Sequence, residues 1–300
     1  YASSSVDTNI VGVDSWITAT SSFVKIFTPK DTTEVGISQR HLGIWDDTKY
    51  RIESSLSGGN TGFRTAIDYL TVEGIQFRYI FGSGINHKGI SIGSSNGETR
   101  VNSNIVQGLS FPSDVVNTGV SIIENNNIAI ITNNIVSGWD NGISGKPLKG
   151  AYIYNNTIAS NTSYGIYAVN PSSMTVINNV VFDNGLNDFR GGGAVLDHNA
   201  SDDGDGTNAI DISPGAVEAD GWKAAFRDYE NGDFRPRDVA SVLYNSGTTI
   251  VTVTTDIVGN SRNSSNPYDI GVFELQSSDI PKFRLSPGGS MKFEGNIKFE

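Results

Sequence analysis

Ile131-Thr132-Asn133-Asn134-Ile135-Val136 is the stretch on which the fold turns, because the chain keeps returning to it. Upstream it is matched by Arg100-Val101-Asn102-Ser103-Asn104-Ile105-Val106. Downstream it recurs as Ile153-Tyr154-Asn155-Asn156-Thr157-Ile158 and as Val176-Ile177-Asn178-Asn179-Val180-Val181. In every copy an aliphatic residue stands three positions before the aligned Asn, and another stands two positions after it. A recurring internal period signals a repeat architecture before any local propensity is weighed.

The columns extend beyond these copies. Val72, Val101, Ile131, Ile153 and Val176 advance by 29, 30, 22 and 23 residues, while Gly89, Gly119, Gly142, Gly165 and Gly193 advance by 30, 23, 23 and 28. Two markers that lengthen and shorten almost together place the variation in loops, where solenoids carry their insertions. Short parallel strands stacked about 4.8 Å apart then bury three aliphatic columns. One is the Val72 set, the second is Phe77, Val106, Val136, Ile158 and Val181, and the third is Ile90, Val120, Ile143 and Ile166. One coil cannot bury a core, but a stack of coils can. Steps of this length are too long for hexapeptide coils. The expected fold is all-β, a right-handed parallel β-helix (β-solenoid) with capping segments at both ends.

Asn104, Asn134, Asn156 and Asn179 read as a structural ladder. Asn tolerates the left-handed backbone of a tight bend, and stacked amides hydrogen-bond from coil to coil. Ile75 holds the equivalent place in the first coil, so the ladder is expected to run from Asn104 to Asn179 only. Residues 1–58 read as an N-terminal cap with the first strands, and 59–200 as β-helix coils. Residues 201–276 read as C-terminal coils with a closing motif, and 277–300 as a strand or hairpin tail about Gly295-Asn296. A turn of helix is expected near Gly221-Trp222-Lys223-Ala224-Ala225-Phe226.

Composition narrows the partners. With a net charge of −11 and no basic stripe, the chain is not expected to bind nucleic acid. No run of 18 apolar residues exists, so no membrane insertion is expected. The absence of Cys removes disulfides and thiolate metal sites. The start at Tyr1, without Met, reads as a processed or truncated end.

Gly232-Asp233-Phe234-Arg235, Asp256-Ile257-Val258-Gly259-Asn260-Ser261-Arg262 and Asp269-Ile270-Gly271-Val272-Phe273-Glu274 look like the closing motif of many secreted β-helix proteins. With the repeat, they make the chain from about 65 to 276 resemble bacterial and phage right-handed parallel β-helix proteins of the pectin-lyase-like superfamily. The resemblance implies a terminal coil and cap, and a setting outside the cell: extracellular, cell surface or virion surface. It speaks to fold more than to activity, since one fold hosts unrelated chemistries. Hydrolases of that superfamily carry, in order, an Asn-Thr-Asp triplet, an Asp pair, a Gly-His-Gly and an Arg-Ile-Lys. That ordered set is not found: His87 is followed by Lys88-Gly89, and the nearest to the last element is Arg51-Ile52-Glu53.

Several residues nonetheless bear chemistry. Asp140 and Asp183, each in an Asp-Asn-Gly turn after an aromatic residue, suit a carboxylate pair for glycoside hydrolysis. Five positions beyond each marker glycine stand Ser94, Glu124, Pro147, Asn170 and His198. This count places Asn170 one coil from His198, with Asp197 beside it, a patch fit for acid–base work. Trp139, Tyr164 and Tyr167 are candidate aromatic platforms for a sugar. Asp202, Asp203 and Asp205 supply closely spaced oxygens for Ca²⁺, although no Glu follows at the EF-hand distance. No other cofactor is expected. His41, without a partner at ligand spacing, reads as a structural residue.

The leading expectation is a non-catalytic β-solenoid acting as a structural, fibre-forming or adhesive module, in contact with glycans in the adhesive version. It would self-associate through the solenoid ends or the C-terminal strand. The alternative is a polysaccharide lyase or glycoside hydrolase using Asp140, Asp183, Asp197 and His198.

Overall fold

A computed structural model describes residues 6–84, 86–93, 96–109, 116–123, 126–215, 221–262, 265–276, 278–279, 282–285 and 291–294. Among these residues the strands form three long parallel sheets. Each coil contributes one strand to each sheet in turn, as Gln76–Phe81, Lys88–Ile92 and Glu98–Asn102 do. Val72, Val101, Ile131, Ile153 and Val176 lie side by side in the third sheet. The Phe77 and Ile90 columns align in the same way in the first and second sheets. All three expected columns are realised, and they form one continuous core. They also start earlier: Ile26, Ile52 and Phe63 stand in register below them, and Val6–Asp7, Val11–Val13 and Val24–Phe27 build the first coil.

The first-sheet strands Ile135–Ser137, Thr157–Ala159 and Val180–Phe182 are covered on both faces, which explains consecutive apolar residues where alternation would otherwise appear. In Ile135-Val136, the valine faces the solenoid interior while the isoleucine packs outward against Ile257, Val272 and Phe273. Val180 and Phe182 likewise pack outward against Trp222, Phe226, Leu243 and Ile270. The C-terminal region supplies this cover. Of the coils expected in 201–276, the described residues show only Ala200–Ser201 and Ile210–Asp211 joining the first sheet. After them come the helical turn Trp222–Ala225 and an antiparallel pair, Phe226–Asp228 with Asp233–Pro236. Residues 247–262 and 265–275 then run back along the bends as a strap.

The Asn-Asn dipeptides explain how the strap is held. The left-handed residue at each bend is the first of the pair, with φ of 55° at Asn133, 53° at Asn155 and 59° at Asn178; Ser103 and His198 hold equivalent places. Its side chain turns outward to the strap: Asn133 Nδ2 donates to Thr255 O (2.9 Å), Asn155 Nδ2 to Asp269 O (3.2 Å) and Asn178 Nδ2 to Thr248 O (2.6 Å). The second Asn turns inward and forms the ladder. The sequence assigned both roles to the ladder Asn; the structure divides them between neighbours.

Each ladder Oδ1 accepts from the backbone N–H and the side-chain Nδ2 of the preceding rung, at 2.9–3.0 Å along Asn104, Asn134, Asn156, Asn179 and Asn199. The ladder therefore ends at Asn199, one coil beyond the expected Asn179. At its other end Ile75 N donates to Asn104 Oδ1 (3.0 Å). Every rung is fully buried.

Inside the strap, Arg262 is fully buried. It donates to Glu274 Oε2 (2.9 Å), Asn133 Oδ1 (3.1 Å) and Gly271 O (2.8 Å). The tail forms an antiparallel hairpin of Lys282–Leu285 with Met291–Glu294; Gly295-Asn296 lies outside the described residues. No helix among the described residues is long and apolar enough to cross a membrane.

Candidate functional site

The two carboxylates expected to pair stand in nearby columns of one bend. Register places Asp183 in the column of Gly138 and Ser160, whereas Asp140 shares a column with Thr162. Each carboxylate is engaged locally. Asp140 accepts from the backbone N–H of Asn117 (2.7 Å) and the hydroxyl of Thr162 (2.6 Å). Asp183 adopts φ 55° and accepts from Ser160 Oγ (2.8 Å) and Tyr229 Oη (3.2 Å).

Asp140 belongs to a second column of bend side chains that the sequence analysis missed. Asn117 Oδ1 accepts from His87 N, Asn161 Oδ1 from Trp139 N, and Asn184 Oδ1 from Asn161 N. The spacing of Asn117, Asp140, Asn161 and Asn184 carried the signal. Its steps of 23, 21 and 23 stay close to the 23-residue steps of Gly119, Gly142 and Gly165, while the first ladder step is 30.

Trp139 is not an exposed platform. It is fully buried, its Nε1–H donates to Val106 O (3.2 Å), and its ring meets Tyr79 and Phe81 edge-on at 6.1 and 4.9 Å. Glycines of the marker column make room for it. A Cβ at Gly89 would lie 2.8 Å from the indole, and one at Gly119 would lie 3.0 Å from it. An aromatic beside an Asp-Asn-Gly turn looked like a surface feature; the small neighbours one and two coils away decide otherwise.

Asp197 and His198 do touch, with Nδ1 to Oδ1 at 2.8 Å. His198 sits at the left-handed bend position before Asn199 (φ 49°). Asn170 is not beside it, since it precedes the third-sheet strand Met174–Ile177 and binds Pro147 O (2.8 Å), while His198 follows the next strand of that sheet. The expected alignment slipped because Gly193 is not in the glycine column. Tyr164 pairs with Asn187 and Ile166 with Phe189, so Asp188 stands level with Gly165. Ser94 and Glu124 lie outside the described residues.

That correction exposes an acid the sequence analysis did not single out. Asp188 is 1% exposed and occupies an interior position that glycine holds in the coils below. Its carboxylate accepts from Asn184 Nδ2 (2.6 Å) and Asp202 N (2.9 Å). Burial, with Asp202 beside it, pushes its pKa up. Asp202 accepts from Asp183 N (3.2 Å) and Asp203 from Asp188 N (2.6 Å), while the backbones of Gly204 and Asp205 bind Ser201 Oγ. Burial and the nearby Asp203 raise Asp205 as well. Asp202 and Asp203 thus brace a loop through their carboxylates, and Asp205 joins it through its backbone N–H. Among the described residues no three acidic or histidine side chains converge in a metal-holding group.

Tyr164 and Tyr167 are brought together on the second sheet. Their rings lie 5.3 Å apart, with the Arg190 guanidinium 4.9 and 5.7 Å from them and hydrogen-bonded to the Tyr164 hydroxyl. This forms a half-buried cation–π stack.

A concavity lies elsewhere, on the outer face of the third sheet near its N-terminal end. Strand alternation turns the neighbours of the Val72 column outward. Lys25, Thr71 and Arg100 align in one outer row, and Phe27, Glu73, Asn102 and Thr132 in another. Phe23 and Thr20 from the preceding loop form one side, and strap residues Thr252 to Thr255 form the other, enclosing about 560 Å³. The strap side is fixed by the Asn133–Thr255 hydrogen bond.

Glu73 meets Lys25 at 3.0 Å and Arg40 at 2.8 Å, and Arg100 meets Glu98 at 2.5 Å. Burial alone would raise the Glu73 carboxyl, but hydrogen bonds and charge from Arg40 and Lys25 outweigh it and hold the group below its usual value. Thr132 donates to Asn102 Oδ1 (2.9 Å). Phe23 is 63% exposed. The groove offers an open aromatic ring beside cations, carboxylates, an amide and hydroxyls, a mixture suited to a polyhydroxylated ligand. Its outer rows were legible one residue to either side of each column aliphatic. Its second wall, more than a hundred residues away in sequence, was not.

The comparison with curated protein sequences gives no match. Among solved structures the chain is similar to a crystal structure of a pectate lyase at 13% identity and a TM-score of 0.39, over 90% of this chain and 87% of that one. A likeness that distant supports nothing about activity. The family model described as "Right handed beta helix region" matches residues 57–222. Those residues are more than half of the chain and contain the stacked columns, so the protein belongs to the right-handed β-helix family.

Proposed function

We propose that this chain is a non-catalytic β-solenoid displayed outside the cell, which contacts glycans through the third-sheet groove. The observation that carries this reading is the groove itself, with Lys25, Arg100 and Asn102 on the sheet and Phe23 on the loop beside it. Rigid elements lower the entropic cost of ordering a site on binding. The non-catalytic part rests on how the candidate residues are used. Asp140 and Asp183 each brace a bend, and His198 forms one.

A glycan array with neutral and acidic polysaccharides is the direct test, followed by calorimetry on any hit. Phe23→Ala and Arg100→Ala are expected to weaken binding about tenfold each, the loss of about 1.4 kcal/mol per contact. No retention of any glycan, or affinity unchanged in both variants, would sink the reading. Turnover on the same panel, seen as absorbance of unsaturated sugars or as new reducing ends, would favour the rival lyase or hydrolase.

A further inference from the structure

Arg190 stands on the outer face of the second sheet, and no carboxylate among the described residues pairs with it. The cations of the third-sheet groove differ, since Lys25 meets Glu73 and Arg100 meets Glu98. In a chain with a net charge of −11, internal ion pairing does not account for this guanidinium.

The sheet fixes its surroundings. Register sets Ser144, Tyr167 and Arg190 side by side on consecutive coils, with Tyr164 beside Asn187. The guanidinium carbon lies 4.9 Å from the Tyr164 ring centre and 5.7 Å from that of Tyr167, and Arg190 Nη1 donates to the Tyr164 hydroxyl. Two rings 5.3 Å apart and tilted by 47° thus hold the guanidinium in place. An arginine stacked on aromatic rings keeps N–H donors for a planar, forked contact with a carboxylate or sulfate. Arg190 is exposed and both rings are half-buried, so the stack faces solvent. Asp188, two residues earlier, does not cancel the charge. Its side chain is interior, and burial with Asp202 beside it pushes the carboxyl toward its neutral form.

We propose that Tyr164, Tyr167 and Arg190 form a second ligand site, which binds an anionic sugar residue through its carboxylate or sulfate. The guanidinium takes the anionic group, and a tyrosine ring offers its face to the C–H surface of the pyranose. The hydroxyls of Tyr167 and Ser144 stand beside it for the sugar hydroxyls. Aromatic faces with a few convergent polar groups suit such an amphipathic ligand. An acidic peptide would use the guanidinium but leave the ring faces uncovered. Strands hold all three residues, so little order remains to be imposed on binding. The site lies on the second sheet and the groove on the third, so the two readings stand apart.

Calorimetry on the full chain, with oligosaccharides of matched length, tests the proposal. Alginate fragments carry uronates, carrageenan fragments carry sulfates, and dextran fragments are neutral. One or both anionic probes should bind, with an affinity that added salt weakens. The stronger of the two names the anion. Arg190→Gln should weaken that binding about tenfold or more, as expected for lost charge-assisted hydrogen bonds. Arg190→Lys, which keeps the charge without the fork, should recover only part, and Tyr167→Ala should cost about threefold. Arg227→Gln removes an equal charge from another exposed residue and should change nothing. Far-UV circular dichroism confirms that each variant is folded.

Failure of both anionic probes to bind would overturn the proposal, as would binding that Arg190→Gln leaves unchanged. An equal loss in Arg227→Gln would overturn it too, by reducing the effect to net charge. A polyglutamate peptide bound as tightly as an equally charged sugar would remove the sugar assignment. These outcomes turn on Arg190 and read the same way whatever the groove binds.

Discussion

Asn156 sits at the centre of the ladder, and replacing it tests whether the repeated Asn is the feature that holds the coils in register. Its Oδ1 accepts from Asn134 N (2.9 Å) and Asn134 Nδ2 (3.0 Å). Its Nδ2 donates to Asn179 Oδ1 (2.9 Å), Ile131 O (2.9 Å) and Tyr154 O (3.1 Å). Asn156→Ala leaves the fully buried Asn134 N–H without its acceptor, at roughly 1–3 kcal/mol, and removes further bonds worth about 1 kcal/mol each. The expected loss is about 3–5 kcal/mol, a large share of an ordinary folding free energy of roughly 5–15 kcal/mol.

Asn156→Asp is the sharper perturbation because it keeps the shape. One oxygen still accepts from Asn134, but the other now faces three acceptors where the amide donated. Burial and those acceptors raise the folded-state pKa of the new carboxyl above its unfolded value. The penalty is therefore complete at neutral pH and is relieved as pH falls through the raised pKa toward the unfolded one. Urea unfolding followed by far-UV circular dichroism, at neutral and mildly acidic pH, reads both effects as shifts in midpoint. An Asp variant as stable as the parent at neutral pH, or an Ala variant losing less than about 1 kcal/mol, would refute the ladder as a structural device.

Two further outcomes follow from the segment 28–50, which links Val24–Phe27 to Arg51–Leu56, and from the strap. His41 is fully buried, its Nε2 lies 3.0 Å from Ser103 O, and Gly43 N donates to its Nδ1. Burial, with Arg40 beside it, takes its pKa from 6.5 to about 3. The native state stays neutral while the unfolded chain takes up a proton, so this contribution is flat above pH 6.5 and falls by about 1.4 kcal/mol per unit from there toward pH 3. His41→Gln should lose that part of the acid sensitivity, and an unchanged pH profile would count against it. Arg262→Met should cost about 3–5 kcal/mol by leaving the Glu274 carboxylate buried without its partner. Adding Glu274→Leu should restore much of the loss in the same urea assay, and no recovery would place the cost elsewhere.

The chain's own pattern determined the architecture. A column of aliphatic residues at coil spacing has one economical burial, a parallel stack, and the recurrence of Val72, Val101, Ile131, Ile153 and Val176 made that plain before any coordinate. It also located the bends, because Asn recurs where the backbone must turn. Tertiary structure decided what each bend residue faces. Asn133 and Asn134 are chemically identical neighbours, yet one binds the strap and the other binds the next rung. Backbone conformation aims their side chains in opposite directions, and the strap arrives from more than a hundred residues away.

The same limit governed the sites. Trp139 went inside because glycines one and two coils away left a space for it. Asp188 went inside because the coil keeps its 23-residue step, which sets Asp188 and not Gly193 level with Gly165. The groove needed the strap for its second wall. Periodicity is local information and survives in the sequence. Which distant surface closes over a given face depends on packing across the whole chain, and only the folded molecule settles it.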